Sequence, residues 1–179
     1  AEVITNQLLD LSWEIILQGM PELNPLDIIV PSDPSSAAFP IVTAIITPNS
    51  EVLVKNVCIN KLRIGLYETL IEMGANIKFL NEREIDGENI ADISAKSSSL
   101  IGTNVPKSRA PSMIDEYPIL AVAASIANGV TIMEGVQELR YKETDRIKAM
   151  AEGLTSMGIQ TQNTEDSLTI YGKGTSSLI

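Results

Sequence analysis

Three short sequences recur along this 179-residue chain. Phe39-Pro40-Ile41 returns as Tyr117-Pro118-Ile119, Leu62-Arg63 as Leu139-Arg140, and Met73-Gly74 as Met157-Gly158, about 77 to 84 residues apart. A period of that length, holding both strand and helix patterns, marks a duplicated supersecondary unit. The pattern around each match predicts the order β-α-β-α-β-β. A unit with one sheet and two helices on one face cannot close a core alone, so the copies must pack on something. The expected fold class is α/β (α+β), built from repeated βαβαββ units.

Residues 1–26 are set apart as a lead-in from an upstream segment, with a strand over 11–18 and breaks at Met20-Pro21 and Asn24-Pro25. The first unit spans 27–99. It opens on a strand at 27–30, and Asp33 then caps a helix whose first position is Pro34. Pro40 predicts a kink or a late start. A strand at 51–58 and a helix over 64–73 follow. Leu66, Leu70 and Met73 share one face of that helix, and Gly74 closes it. Strands at 76–80 and 90–95 meet at Asp86-Gly87. The second unit, 100–179, repeats this order: a strand at 100–105, a helix opening at Pro111 and ending at Ala127, and a turn at Asn128-Gly129. A strand at 130–134, a helix over 144–157 and strands at 159–162 and 167–171 complete it. Together 27–179 form one incomplete domain.

Composition narrows the chemistry. The formal net charge is −10, which argues against nucleic acid as a partner. The sequence holds no His, so His acid–base chemistry and His metal ligands are excluded within it. The single Cys58 excludes an internal disulfide and a Cys-rich zinc site, and is expected in the core. Hydrophobic residues make up 44% but aromatics only 4%, so the core must be aliphatic. No run of about 18 apolar residues and no signal peptide appears, so a soluble cytoplasmic protein with no membrane partner is expected. Gly172-Lys173-Gly174-Thr175 hints at a phosphate loop, but the pattern needs Gly where Ser167 stands.

The densest charge lies in Glu138-Leu139-Arg140-Tyr141-Lys142-Glu143-Thr144-Asp145-Arg146, ahead of an apolar stripe of Ile147, Met150, Ala151, Leu154 and Met157. Extending the helix backwards puts Lys142, Glu143 and Arg146 near its inward side. Cations at i and i+4 repel, and a helix N-terminus is already positive, so the cluster suggests a bound anion. A solvated charged turn is the competing reading. Ser112-x-x-Asp115 has the spacing of a capping box, which by itself makes Asp115 a cap.

Three ordered motifs carry a family resemblance. They are Val30-Pro31-Ser32-Asp33-Pro34-Ser35-Ser36-Ala37-Ala38-Phe39, then Ala110-Pro111-Ser112-Met113-Ile114-Asp115-Glu116-Tyr117-Pro118, then Glu138 to Arg146. Over about residues 27–171 the chain resembles 3-phosphoshikimate 1-carboxyvinyltransferases, the 5-enolpyruvylshikimate-3-phosphate synthases. Its wording is similar to the bacterial class that includes glyphosate-tolerant members. Residues 1–17 fall outside the resemblance. The family's fold, an inside-out α/β barrel, has two domains of three βαβαββ units each. The chain therefore resembles two of the three units of the second domain. The family's opening lysine loop, its glycine-rich loop and its late Asp-His-Arg motif have no counterpart here.

The resemblance implies transfer of the enolpyruvyl group of phosphoenolpyruvate to the 5-hydroxyl of shikimate 3-phosphate, releasing phosphate, in chorismate and aromatic amino acid biosynthesis. No cofactor and no metal is implied. The catalytic residues it implies are Asp115, Lys142 and Glu143, with the split between acid and base left open. Substrate contacts are implied for Asp115, Glu138, Lys142, Glu143 and Arg146, the last as a fork for the phosphoenolpyruvate carboxylate. Asp145 is expected to serve the helix start, Asp33, Ser35 and Ser36 to cap and hinge, and the repeat-equivalent Arg63 and Arg140 to be structural. Besides its substrates, the expected partner is the remainder of a parent enzyme, or a second copy. The alternatives are a UDP-N-acetylglucosamine enolpyruvyl transferase, or a ligand-binding or assembly fragment without turnover.

Overall fold

The computed structural model describes residues 2–10 and 12–174. Residues 175–179, the end of the expected second unit and of the Gly-Lys-Gly-Thr run, lie outside them, as does Leu11 of the expected first strand. The chain opens with an antiparallel hairpin of β1 (Val3–Gln7) and β2 (Trp13–Leu17), every residue of the two strands exposed. No strand forms at 27–30. Ile28, Ile29 and Val30 are 66%, 66% and 83% exposed. The chain first meets a sheet at Ser32, whose N–H donates to the Asn56 carbonyl and whose carbonyl accepts from Cys58 N–H. Just before that point, Ile29 N–H donates to the Asp86 carboxylate at 2.8 Å, a side chain instead of a ladder.

Helix α1 (Pro34–Ile46) starts where its cap predicts. Asp33 accepts from both the N–H and the hydroxyl of Ser36 at 2.8 Å. Pro40 neither delays nor ends the helix. It sits on the exposed side, as does Ser36, whose carbonyl loses its partner there, so water reaches that carbonyl. Strands β3 (Glu51–Cys58), β4 (Asn76–Ile85) and β5 (Glu88–Lys96) form an antiparallel sheet in the order β3-β5-β4. Asp86 and Gly87, with φ of 52° and 83°, make the tight turn between β4 and β5, which run longer than the sequence predicts. Helix α2 (Gly65–Glu72) buries Leu66, Leu70 and Met73 almost completely, and Gly74 at φ 94° closes it. Cys58 is only half-buried, its thiol facing Glu88 at 3.6 Å rather than sitting in the core.

In the second copy, β6 (Asn104–Val105), β7 (Asn128–Glu134), β8 (Gln160–Asn163) and β9 (Ser167–Lys173) order as β6-β7-β9-β8, with β6 parallel to β7. The strand expected over 100–105 shrinks to two residues plus a bridge from Ile101 to Asn128. Gly102 explains how the backbones approach there, since a Cβ on it would lie 2.2 Å from the Val130 carbonyl oxygen. Asn128-Gly129 is no turn: Asn128 N–H donates to Leu100 and the pair opens β7. Gly172 and Lys173 end β9, so they form a strand and not a phosphate loop.

Both helices of this copy start later than expected. Residues 107–112 form a 3-10 turn, and α3 runs Tyr117–Ile126 with Glu116 at its N-cap position and no side-chain cap. The Ser112 hydroxyl donates to the Arg109 carbonyl, so the predicted capping box with Asp115 does not form. Helix α4 runs Arg146–Ser156, because Asp145 takes the cap and accepts from Lys148 N–H at 2.9 Å. Ile147, Ala151 and Leu154 of the predicted stripe are buried, whereas Met157 is 76% exposed past the helix end.

One apolar core joins the two copies. Helix α3 packs on α1, α2 and α4. The apolar stretches 38–45 and 121–126 of these helices are covered by this packing. Ala38, Ile41, Val42 and Ile45 are fully buried, as are Ala123 and Ala124, leaving Phe39 and Val122 as apolar side chains open to solvent. Among the described residues no helix is long and apolar enough to cross a membrane.

Candidate active site

Two segments without regular structure meet beside the helices of the second copy. One is the turn between the 107–112 3-10 turn and α3, and it carries Asp115. The other joins a 3-10 turn at Gln137–Tyr141 to α4, and it carries Lys142 and Glu143. Lys142 and Glu143 therefore precede the helix and do not lie in its first turn. The cap at Asp145 sets that boundary, so helical spacing does not bring the charges together. The loop does.

All five side chains singled out from the sequence converge. Arg146 Nη1 lies 3.2 Å from Asp115 Oδ1, and Arg146 Nη2 lies 2.6 Å from Glu143 Oε2. Lys142 Nζ stands 3.1 Å from Glu138 Oε1 and 3.9 Å from the same Asp115 oxygen. One carboxylate oxygen thus faces two cations. The cations are the more sheltered members: their side chains are 26% and 23% exposed, against 57% for Asp115 and 77% for Glu143. The Glu143 carboxyl is held below its ordinary value, first by its own backbone N–H and then by the Arg146 guanidinium. Arg146 is in turn raised, first by the hydrogen bond it donates to Glu143 and less by the one to Asp115. The cluster thus sets two cations, each between carboxylates, on an open face. Such a face can bind an anion if a carboxylate swings aside, and it can pass a proton between neighbours. Among the described residues no set of three or more His, Cys, Asp or Glu side chains converges as a metal site.

The flanking residues are held by neighbouring structure. Arg140 donates to the Asp145 carboxylate at 2.7 Å and to the Glu165 carbonyl at 2.9 Å, tying the 3-10 turn to the helix cap and to the β8–β9 turn. Arg63 reaches the Asp33 carboxylate at 3.2 Å. Both arginines therefore hold helix caps, as expected of structural residues. Sequence reasoning missed two side chains. Arg109 makes a two-pronged pair with Glu72, 2.6 Å on each arm, and also reaches the Thr69 hydroxyl. This pair fastens the 3-10 turn to α2. Glu116, next to Asp115, is only 6% exposed and accepts from the Ser35 hydroxyl. A glutamate followed directly by the apolar run of a helix was the available signal. A cleft of about 580 Å³ is lined by Lys61, Leu62, Glu68 and Arg109 among others, away from the five charged residues.

The sequence model of EPSP synthase (3-phosphoshikimate 1-carboxyvinyltransferase) matches residues 6–177. That match begins inside the β1–β2 hairpin, so most of the lead-in set apart from the sequence belongs to the matched region. The 3-phosphoshikimate 1-carboxyvinyltransferase of Cereibacter sphaeroides is 56% identical over 160 residues, 89% of this chain and 36% of the relative. That of Paracoccus denitrificans is 54% identical over the same shares. The chain thus spans about a third of the length of the curated relatives it matches. Among solved structures, EPSP synthase of Acinetobacter baumannii superposes with a TM-score of 0.88 at 45% identity, over 97% of this chain and 38% of that one. The enolpyruvyl transferase NikO of Streptomyces tendae, at 9% identity and a TM-score of 0.52, shares the fold. A repeated α-β-α-β-β order, a charged loop ahead of α4 and a sequence match running almost end to end coincide in one chain, which belongs to the EPSP synthase family.

Proposed function

We propose that this chain supplies one wall of an enolpyruvyl transferase site, acting on phosphoenolpyruvate and shikimate 3-phosphate as part of a longer enzyme. The observation that carries this reading is the Asp115 carboxylate set between Lys142 and Arg146, in a chain of this family. Transfer needs the 5-hydroxyl to lose a proton as its oxygen bonds to the central carbon of phosphoenolpyruvate, while the methylene carbon gains one. Breaking the carbon–oxygen bond to phosphate, with loss of a methyl proton, then restores the double bond. Asp115 is placed to hold or deprotonate the hydroxyl. Lys142 and Glu143 are the proton-transfer pair, and Glu138 sets the position of the Lys142 ammonium. Arg146 has the planar fork a carboxylate requires and exchanges Glu143 for it.

The open face of this cluster supports the need for an opposing wall. The two substrates must be held together and water kept out, which a surface with Glu143 77% exposed does not do. The β1–β2 hairpin points to the same partner. Val3, Trp13, Ile15 and Leu17 form an uncovered apolar face, and an isolated two-stranded ribbon is marginal in water. The rest of the enzyme is the proposed cover, with self-association of the isolated chain as the fallback. The test uses the 179-residue chain and a full-length enzyme carrying its sequence. Phosphate release should appear only with the latter, and Glu143→Gln should lower it by about 10²–10⁴-fold. Turnover by the chain alone, or an unaffected Glu143→Gln enzyme, would overturn the assignment.

A further inference from the structure

Glu116 is nearly as buried as the apolar residues beside it, at 6% exposure. A carboxylate in such a place needs donors. It has the Ser35 hydroxyl, which donates to Glu116 Oε1 across 81 residues of sequence. The same hydroxyl accepts from Arg63 Nη2 at 3.1 Å, and that nitrogen also lies 3.2 Å from the Asp33 carboxylate. The Tyr67 hydroxyl holds the neighbouring Pro34 carbonyl at 2.6 Å. The start of α1 is therefore fixed from several sides, and Glu116 is fastened to it. Ser35 is the second residue of α1 and Glu116 stands at the N-cap position of α3, so one contact ties two helix starts together. Both ends favour a negative charge.

The next residue back is Asp115. On its other side Met113 is 1% exposed, and the 3-10 turn is pinned by Arg109 to Glu72. Residues 114–116 are thus a short span between two anchors, and Glu116 supplies the second. We propose that Ser35 and Glu116, backed by Arg63, are positioning residues that aim Asp115 at Lys142 and Arg146. The first copy of the repeat thereby sets the geometry of a site carried by the second. The inference rests on the enolpyruvyl transfer reading for its catalytic consequence but not for its geometry.

The test has two arms. In the 179-residue chain, the side-chain nitrogen resonances of Arg146 report its contact with Asp115, and Asp115→Asn gives the reference for losing that contact. Ser35→Ala should move the Arg146 signal towards that reference, and Ser35→Thr, which keeps the hydroxyl, should return it. Glu116→Gln probes the charge, and Ser35→Ala keeps the test sound if the buried substitution fails to fold. In the full-length enzyme, Ser35→Ala should lower kcat/KM for shikimate 3-phosphate by roughly 10- to 100-fold, the scale of a misplaced catalytic group, with Ser35→Thr restoring most of it. An Arg146 signal and a kcat/KM both unmoved by Ser35→Ala in a folded protein would overturn the proposal. If instead Asp115→Asn leaves the enzyme active, the catalytic reading fails, while the resonance arm still decides whether Ser35 and Glu116 position Asp115.

Discussion

The two copies of the repeat differ most where the second one does its proposed work. The spacing between matching residues is 77 at Leu62/Leu139 but 84 at Met73/Met157, so the second copy carries seven extra residues between those marks. In the first copy, Arg63 and Ile64 lead straight into α2 at Gly65. In the second, Arg140 is followed by Tyr141, Lys142, Glu143, Thr144 and Asp145 before α4 begins. Four of the seven lengthen this charged loop, and the other three lengthen the helix behind it, 11 residues against 8. The matching arginines diverge with it: Arg63 holds the cap of α1, whereas Arg140 holds the cap of α4, closing the base of the inserted loop. A duplicated unit can keep one copy for packing and lengthen the other at a helix start, where free N–H groups and a new cap absorb extra residues without disturbing the sheet.

The largest effect expected from this comparison is catalytic. In a full-length enzyme, Lys142→Met in the inserted loop should lower turnover by about 10²–10⁴-fold, the range for a lost proton-transfer group. Lys61→Met, in the loop before α2 of the first copy, should leave it unchanged. Equal losses would show that the inserted loop is not what separates the copies. Arg146→Lys should act on one substrate, raising the KM for phosphoenolpyruvate more than that for shikimate 3-phosphate, because an ammonium keeps the charge and loses the fork. Parallel changes in both constants would make Arg146 a shaper of the whole cleft.

Next in size is the core. Leu70 of α2 is 0% exposed and Leu154 of α4 is 7% exposed, and both belong to the shared cluster. Leu70→Ala should cost about 2–5 kcal/mol of stability, as buried leucines do, with Leu154→Ala in the lower part of that range. Urea unfolding of the 179-residue chain measures both. A larger loss at Leu154 would reverse the division proposed here, in which α2 packs and α4 both packs and carries Arg146.

The sequence made this division only partly legible. Where local chemistry decides, it was readable: Asp33 with Ser36 starts α1, Gly74 ends α2, and Asp86-Gly87 turns β4 into β5. Where a distant partner decides, it was not. The sequence opens a helix at Pro111, but the Arg109 pair with Glu72 and the Ser35 contact with Glu116 hold this stretch in a 3-10 turn and a further turn, and neither partner is near in sequence. Asp27–Val30 looks like a strand, yet nothing in the described residues offers it a ladder. The motifs named the five charged residues that converge here, although the helical spacing that first grouped Lys142, Glu143 and Arg146 does not hold once Asp145 is the cap.

The smallest expected effect concerns that cap and its pH dependence. Asp33 and Asp145 begin one helix in each copy, and both carboxyls lie below the ordinary value of 3.8. For Asp33, burial works to raise it, but the hydroxyl and N–H of Ser36 outweigh that. For Asp145, the Lys148 N–H lowers it first and Arg140 adds to it. A carboxyl depressed in the folded state contributes stability that is complete above its unfolded value and is lost as pH falls through the folded one. The chain should therefore hold its unfolding midpoint from neutral pH down to about 4 and lose it below. Asp33→Ala should cost about 1 kcal/mol at neutral pH and flatten part of that acid limb. Asp145→Ala should flatten it too, and in the full-length enzyme it should also raise the KM for phosphoenolpyruvate, because it frees the first turn that carries Arg146. Asp33→Ala, with α1 still held at Ser35 by Glu116 and Arg63, should leave that constant where it was. An Asp33→Ala enzyme impaired as much as Asp145→Ala would mean that the start of α1 reaches the site through its cap, and not through the contact between Ser35 and Glu116.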